Sequence, residues 1–182
     1  KISKYTFGKP FNTEAVVSVP ETAKVFYNST EIPFGTLNLK KDSLTYEISL
    51  LPEDKVFGLG ENLGGINKRG RRYTSWCTDD PNHTEEKQSL YGAHNFLIVY
   101  SPEKNQLLGL FLDYPGKIEY DISFSNCDKM SIYVPSTNMD IYLIQTDKPN
   151  KLGFTEIIKE FRTMIGKSYV PPLWSMGYMQ SR

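Results

Sequence analysis

Cysteine and histidine are scarce in this sequence, with two of each among 182 residues. Cys77 and Cys127 belong to no Cys-x-x-Cys pair, which excludes a disulfide framework and a clustered zinc motif. We interpret both as reduced thiols, and a single bridge between them stays open. His83 and His94 are too few for a metal site, because zinc needs several protein ligands. We therefore expect no metal and no other cofactor.

Net charge and long hydrophobic runs are missing as well. Lysine and arginine number 21, and so do aspartate and glutamate. A balanced chain has no overall attraction for nucleic acid, and we interpret the basic run 68–72 as a solvated or salt-bridged loop face. No apolar run approaches the roughly 20 residues of a membrane span, and no signal peptide precedes Tyr5. We expect neither a nucleic-acid nor a membrane partner and predict a cytoplasmic location, while a removed signal peptide stays open.

The residues that are plentiful indicate a turn-rich β protein. Proline (11), glycine (13) and aromatic residues (13%) are all well represented. Alternating apolar and polar residues predict half-buried strands, and several short strands separated by turns favour a sandwich of antiparallel sheets. The predicted strands cover residues 15–19, 24–27, 44–50, 96–100, 107–112, 118–124, 130–134 and 140–144.

After residue 150 the apolar period becomes that of a helix. One face carries Phe154, Ile157, Ile158, Phe161 and Ile165. Pro149 suits the first turn and Gly166 a position just past the end. Pro171 and Pro172 then precede an apolar segment that predicts a strand. A finished domain rarely stops within a strand, so we expect a piece of a longer chain, divided into residues 1–150, a connecting helix at 151–168, and the start of a second domain at 169–182.

The longest stretch without a regular pattern runs from Phe57 to Phe96. Its length of about 40 residues far exceeds the usual connection of about 4 to 6, and its glycines interrupt any regular element. Apolar residues argue against disorder, so we predict an ordered loop pinned by them. These anchors are Phe57, Ile66, Tyr73, Trp76, Leu90, Tyr91 and Phe96. The glycines at 58, 60 and 64 miss the dinucleotide spacing. Within the loop, Asp79-Asp80-Pro81 is a turn signal, and ligand binding is the alternative.

Three blocks of the sequence resemble family 31 glycoside hydrolases of the α-glucosidase type. They are Phe-Gly-Leu-Gly-Glu at 57–61, the run 77–96 with Tyr-Gly-Ala-His-Asn-Phe at its end, and the run 165–182. In the family, the last block marks entry into the first strand of the catalytic barrel. The resemblance implies a mainly β fold, in which an antiparallel β-sandwich of the galactose-mutarotase-like type is followed by a helix and the first strand of a (β/α)₈ barrel.

The same resemblance implies the N-terminal domain of a retaining α-glucosidase that hydrolyses terminal α-glucosidic bonds of oligosaccharides. Such hydrolysis needs two carboxyl groups about 5 to 5.5 Å apart. In the family both lie beyond position 182, so no catalytic residue is expected here and the fragment alone is predicted to be inactive. The loop is implied to bind substrate through Asp79, with Asp80 as the fallback and Trp76 as an apolar wall. The implied partners are the catalytic barrel of the same polypeptide and the α-glucoside.

Two other functions stay open at this point. A stand-alone carbohydrate-binding sandwich would need no catalytic partner. A mutarotase-like epimerase would need a histidine and a carboxylate for general acid–base chemistry, and we interpret His94 as structural instead. The sequence does not distinguish α-1,4 from α-1,6 linkages or glucosides from xylosides, and it does not give the oligomeric state.

Overall fold

The structure is a computed structural model that describes residues 1–13, 15–148 and 150–178. Its strands form two sheets, and one α-helix and a short 3₁₀-helix follow them. The strands are β1 Ile2–Phe7, β2 Lys24–Tyr27, β3 Thr36–Lys40, β4 Ser43–Ser49, β5 Lys55–Gly58, β6 Arg71–Ser75, β7 Phe96–Ser101, β8 Gln106–Asp113, β9 Ile118–Ile122, β10 Lys129–Val134 and β11 Met139–Gln145. The helix α1 spans Lys151–Ile165, and the 3₁₀-helix spans Leu173–Met176.

The two sheets are almost entirely antiparallel. The six-stranded sheet has the order β2-β1-β11-β8-β7-β5, and the five-stranded sheet has the order β3-β4-β10-β9-β6. Among the strands of the described residues, the pairing of β1 with β2 is the parallel one. The predicted hairpin of β7 and β8 is present, with Phe96 opposite Phe111. The mainly β sandwich expected from the sequence is therefore confirmed.

The main core lies between the sheets and follows the alternation of the strands. In β4 and β10 every second side chain points inward, so that Tyr46 lies opposite Ile132 and both are fully buried. The Tyr46 hydroxyl donates a hydrogen bond of 2.7 Å to the Pro33 carbonyl. Burial, and then the neighbouring Tyr5, raises the pKa of Tyr46, so this phenol stays a neutral donor.

Helix α1 covers the outer face of the six-stranded sheet. The Asn150 side chain caps it by accepting from the backbone N–H of Leu152 at 2.9 Å. Ile157, Phe161 and Met164 are buried against the sheet. By contrast, Ile158 and Ile165 are 44% and 40% exposed, so the stripe buried against the sheet does not include them. The buried residues Ile157, Phe161 and Met164 are at positions i, i+4 and i+7, so Met164 is buried where the sequence analysis had placed Ile165 on the apolar face.

Two predicted strands take other conformations. Residues 15–19 are irregular. Val17 and Val19 pack against the second apolar cluster, which lies between the six-stranded sheet and α1, and the Ser18 N–H donates to the Met164 carbonyl at 2.8 Å. After Pro172 a 3₁₀-helix replaces the predicted strand over Leu173–Met176. A strand needs a neighbour for its backbone groups, and here the Ser175 N–H bonds locally to the Pro172 carbonyl at 2.9 Å instead.

Some predictions fall on residues that the structure does not describe. The assignment of Pro149 to the first helical turn is one, and the end of the predicted barrel strand at 179–182 is another. The boundaries 1–150, 151–168 and 169–182 stay predictions. Among the described residues, no helix is long and apolar enough to cross a membrane.

Candidate functional site

The long irregular stretch consists of two loops with a strand between them. Strand β5 takes its first residues, and β6 then pairs with β9, so the loops cover residues 59–70 and 76–95. Tyr73 on β6 and Leu90 are buried and anchor the stretch as predicted. Ile66, Trp76 and Tyr91 are 82%, 50% and 46% exposed, which corrects their predicted anchoring role. The Glu61 carboxylate accepts the Gly92 N–H at 2.9 Å and ties the two loops together.

Arg69 closes the base of the first loop. Its guanidinium donates to the carbonyl oxygens of Leu51 at 2.6 Å, Asp54 at 3.0 Å and Cys127 at 2.6 Å. It also bonds the Pro52 carbonyl at 2.8 Å and the Ser123 hydroxyl at 3.2 Å. One planar cation with five N–H donors thus bonds backbone carbonyls of two separate segments, the turn at 51–54 and the connection between β9 and β10.

The other cations of the basic run also act within the chain. Arg72 pairs with Asp121 at 3.0 Å and Arg71 with Glu85 at 3.8 Å, which confirms the salt-bridged interpretation for both. Lys68 differs, because it is buried with its ammonium 5.5 Å from the centre of the Tyr73 ring. Burial, and then the charge of Arg71, lowers the pKa of Lys68.

Lys87 organises the tip of the second loop around Asp80. Its ammonium lies 2.8 Å from the Asp80 carboxylate and donates to the carbonyls of Asp80 at 2.6 Å and Asn82 at 3.2 Å. The other Asp80 carboxylate oxygen accepts the Asn82 N–H at 2.9 Å, which is the turn predicted before Pro81. The bond from Lys87, followed by that from the Asn82 backbone, lowers the pKa of Asp80.

Asp79 has a different environment from its neighbour. Its side chain is exposed, and no described residue forms a hydrogen bond or an ion pair with its carboxylate. The preceding residue, Thr78, is fixed by the bond of its backbone N–H to the Leu90 carbonyl at 2.9 Å. The backbone beside Asp79 is therefore held, while its carboxylate is open to solvent or to a ligand.

Trp76 lies at a cleft of about 310 Å³ whose walls come from the two ends of the second loop and from the turn after β8. Asn95 fixes these walls, because it donates to the Tyr114 carbonyl at 3.1 Å and its side-chain oxygen accepts from the Ser75 hydroxyl. Neither Asp79 nor Asp80 lines this cleft. The structure thus brings Trp76 to a cavity and places the two aspartates outside it, on the same loop.

Lys87 and Asn95 are structural residues of this site that sequence reasoning missed. Lys87 reaches Asp80 from seven positions away across an irregular loop, and Asn95 bridges a loop to a distant turn. Neither contact follows a helical or strand period, so no local spacing indicates it. Only knowledge of the folded loop reveals them.

The cysteines and histidines do not come together in a metal or catalytic cluster among the described residues. Cys77 and Cys127 are both free and exposed. Over residues 1–13, 15–148 and 150–178, no three His, Cys, Asp or Glu side chains lie close enough to hold a metal ion. The His83 ring packs edge-on against Tyr91 at 5.7 Å, and His94 against Phe161 at 5.6 Å. His94 therefore packs on a ring, where backbone partners were expected.

With this geometry in hand, comparison with known proteins identifies the family. The sequence profile described as the glycosyl hydrolase 31 N-terminal galactose mutarotase-like domain matches residues 4–121. The chain belongs to this family. The matched region runs from β1 through β9 and contains both loops.

Full-length relatives are considerably longer than this chain. An alpha-glucosidase of Saccharolobus solfataricus is 23% identical over the whole chain, which spans 25% of that protein. Alpha-glucosidase 2 of Bacillus thermoamyloliquefaciens is 27% identical over 71% of the chain and 16% of its own length. The solved structure of a Flavobacterium johnsoniae GH31 dextranase complexed with glucose matches 78% of the chain and 16% of its own, with a TM-score of 0.66 and 25% identity. This chain is thus similar to the N-terminal part of larger glycosidases.

Proposed function

We propose that this chain is the N-terminal domain of a retaining α-glucosidase that hydrolyses terminal α-glucosidic bonds of oligosaccharides. In this proposal the second loop contributes to the substrate pocket, and a barrel of the same polypeptide, beyond residue 182, supplies both catalytic carboxyl groups. The observation that carries the proposal is the contrast between two neighbouring aspartates: Asp80 is paired with Lys87, whereas the exposed Asp79 carboxylate has no partner among the described residues.

Sugar recognition suits an unpaired carboxylate held on an ordered loop. Its two oxygens accept hydrogen bonds from neighbouring hydroxyls, and such charge-assisted bonds contribute roughly 1.5 to 3 kcal/mol each. Asp80 would bind substrate only by giving up its bond to Lys87, so we assign the direct role to Asp79 and keep Asp80 as the fallback. The half-exposed Trp76 ring supplies an apolar wall on the same loop.

The test is hydrolysis of 4-nitrophenyl α-glucoside by the complete encoded polypeptide. We expect Asp79→Ala to lower kcat/KM by roughly 10- to 100-fold, the effect of one or two lost charged hydrogen bonds. Asp42→Ala is the matched control, because Asp42 is also exposed and has no hydrogen-bond or ion-pair partner among the described residues. It should leave kcat/KM unchanged.

Two results would contradict the proposal at different levels. A folded Asp79→Ala variant within twofold of the parent would remove the role of Asp79 while leaving the hydrolase assignment in place. A parent that cleaves neither α-glucosides nor α-xylosides would remove the hydrolase assignment itself. Residues 1–182 alone should show no hydrolysis, since the proposed catalytic carboxyl groups lie on the barrel. The cytoplasmic location stays a prediction.

A further inference from the structure

The outer face of the five-stranded sheet has a regular polar pattern that the proposed function does not use. Its side chains stand in cross-strand rows, because Tyr133 on β10 lies opposite Glu119 on β9 and Thr45 on β4. Glu119 in turn lies opposite Thr74 on β6. Side chains in such a row are about 4.5 to 5.5 Å apart at Cβ, so one ligand can touch several of them.

Charge on this outer face is balanced pair by pair. Arg72 pairs with Asp121 at 3.0 Å, Lys117 with Glu119 at 2.7 Å, and Lys129 with Glu47 at 3.1 Å. Each of these three cations is matched by an anion on the same face, and Lys40, which has no ion-pair partner among the described residues, lies on edge strand β3, two strands away from Tyr133. Such a surface offers no electrostatic attraction to a polyanion or a polycation. A neutral ligand rich in hydrogen-bonding groups would fit such a surface.

Tyr133 is the aromatic residue at the centre of this face. It is 40% exposed on a strand that has neighbours on both sides. Among the described residues its ring has no aromatic or cationic neighbour, and its hydroxyl has no hydrogen-bond partner. A tyrosine held on a central strand presents a rigid apolar surface with a polar tip, and it loses little entropy when a ligand binds.

The second loop borders this face at Gln88, and the two together form a cleft of about 370 Å³ that is also lined by Tyr133 and Glu119. The contact lies at the free edge of β6, where the Gln88 carbonyl accepts the Thr74 N–H at 2.8 Å. The Gln88 side-chain oxygen accepts from the Thr74 hydroxyl at 3.4 Å, so its amide nitrogen is directed elsewhere and can donate. The cleft thus combines an aromatic surface, an amide donor and the Glu119 carboxylate, which pairs with Lys117 through one oxygen and can accept through the other.

We propose that this cleft is a carbohydrate-binding site separate from the Asp79 loop, and that it takes a neutral α-glucan chain. A sugar ring has an apolar C–H face and hydroxyls around its edge. The Tyr133 ring contacts the apolar face, Glu119 accepts from hydroxyls, and Gln88 donates to a hydroxyl or ring oxygen. The ligand class rests on the proposed glycosidase function, while the site rests on the geometry of the sheet. Its effect would be to hold a polysaccharide near the enzyme.

The experiment is native electrophoresis of the complete polypeptide in gels that contain glycogen or dextran. We expect the parent to be retarded by at least one of them, and Tyr133→Ala to weaken the apparent affinity by about tenfold or more. Tyr133→Phe should stay close to the parent, because it keeps the ring. Tyr27→Ala is the control, since Tyr27 is 74% exposed on β2 of the other sheet. Tyr133→Ala should cleave 4-nitrophenyl α-glucoside at the parental rate.

The outcomes separate this inference from the proposed function. A parent that is not retarded by either polysaccharide, or a folded Tyr133→Ala variant that is retarded as strongly as the parent, would overturn the carbohydrate site even if hydrolysis is normal. A parent that is retarded through Tyr133 but cleaves neither α-glucosides nor α-xylosides would retain the carbohydrate site and remove the hydrolase assignment. Equal losses in Tyr133→Ala and Tyr27→Ala would also overturn the site.

Discussion

Two adjacent aspartates have different environments, because Lys87 pairs with only one of them. Asp79 and Asp80 have the same chemistry and adjacent positions, yet only Asp80 reaches Lys87. Successive side chains of an irregular loop point in different directions, so one carboxylate closes the turn while the other stays open. The Asp80 pair with Lys87 stabilises the turn, while the Asp79 carboxylate has no partner among the described residues.

Lys87→Met should loosen the tip of the second loop. The ammonium is the hydrogen-bond donor to the Asp80 carboxylate and to two carbonyls, and methionine keeps the length of the side chain but donates nothing. We expect faster amide hydrogen exchange in residues 79–88 and an Asp80 pKa that returns toward its ordinary value. Lys41→Met, at an exposed position with no hydrogen-bond or ion-pair partner among the described residues, is the control. Unchanged exchange in Lys87→Met would show that the loop is held by other contacts.

Arg69→Met should destabilise the whole sandwich. The guanidinium bonds four carbonyls and a hydroxyl, and its loss leaves polar groups with fewer partners. We expect the free energy of unfolding to fall by roughly 2 to 3 kcal/mol, measured by urea denaturation. Arg162→Met on the exposed side of α1 should change it by less than about 0.5 kcal/mol. Equal effects of the two substitutions would contradict a central role for Arg69.

At the scale of elements, α1 is attached through a narrow stripe. Ile157 is fully buried and faces Gly109 on β8, where a methyl group on the glycine would lie 2.5 Å from the Ile157 side chain. The glycine therefore allows the close approach of helix and sheet. The next residue, Ile158, is 44% exposed. Two identical side chains at adjacent positions thus provide a direct comparison of burial.

Ile157→Ala should cost roughly 2 to 5 kcal/mol of unfolding free energy, because it removes buried methyl groups and leaves a cavity against the sheet. Ile158→Ala should cost less than about 0.5 kcal/mol, since alanine also favours the helix. Both values come from chemical denaturation of the same protein. Similar costs for the two variants would mean that the helix is oriented differently on the sheet.

The sequence predicted two kinds of strand: the continuous apolar runs of β7, β8 and β11, and strands whose two faces have different surroundings. Strands β4, β9 and β10 alternate strictly because one face is in the core and the other is in water. Strand β6 was missed, because Arg72 faces outward, Arg71 is directed to Glu85 of the second loop, and Tyr73 alone is fully buried. The strand predicted at 15–19 was wrong for another reason. An apolar run does not show that a hydrogen-bonded neighbour is present, and here Val17 and Val19 are only partly buried while the Ser18 N–H bonds to the Met164 carbonyl near the end of α1.

The candidate site was predictable only as far as local chemistry extends. The turn at Asp80 follows from the preference of aspartate before proline, and the structure contains it. The hydrogen bond between Gly92 and Glu61 and the ion pair of Lys87 with Asp80 join residues that are not neighbours along irregular loops. Such contacts have no periodic signature, so the sequence gives the residue types without the arrangement.

At the scale of the whole molecule, acidity acts on stability in two opposite directions. The Lys148 and Thr146 hydrogen bonds lower the pKa of Glu156, as Lys87 does for Asp80. Burial raises the pKa of Asp121, but bonds from Ser125 and Arg72 outweigh it and the pKa is lowered overall. These contributions are present above the ordinary pKa of a carboxyl group and are lost as the pH falls through the lowered folded values.

The pKa of Asp113 is shifted in the opposite direction. It lies opposite Asp140 on the neighbouring strand. Burial, and then the charge of Asp140, raises the pKa of Asp113, and Lys4 offsets part of the effect. The folded state therefore holds the Asp113 proton more tightly than the unfolded chain. The unfolding free energy accordingly falls as the pH rises from the ordinary pKa through the raised one.

Asp113→Asn should therefore stabilise the protein near neutral pH and have little effect in acid. The amide keeps the shape of the side chain, removes the repulsion with Asp140 and leaves the 2.8 Å ion pair of Lys4 with Asp140 intact. We expect a higher Tm than the parent at pH 7 and a difference that shrinks toward zero as Asp113 of the parent becomes protonated. Asp42→Asn should show no such pH dependence. A lower Tm for Asp113→Asn at pH 7 would mean that the attraction of Asp113 to Lys4 exceeds its repulsion from Asp140.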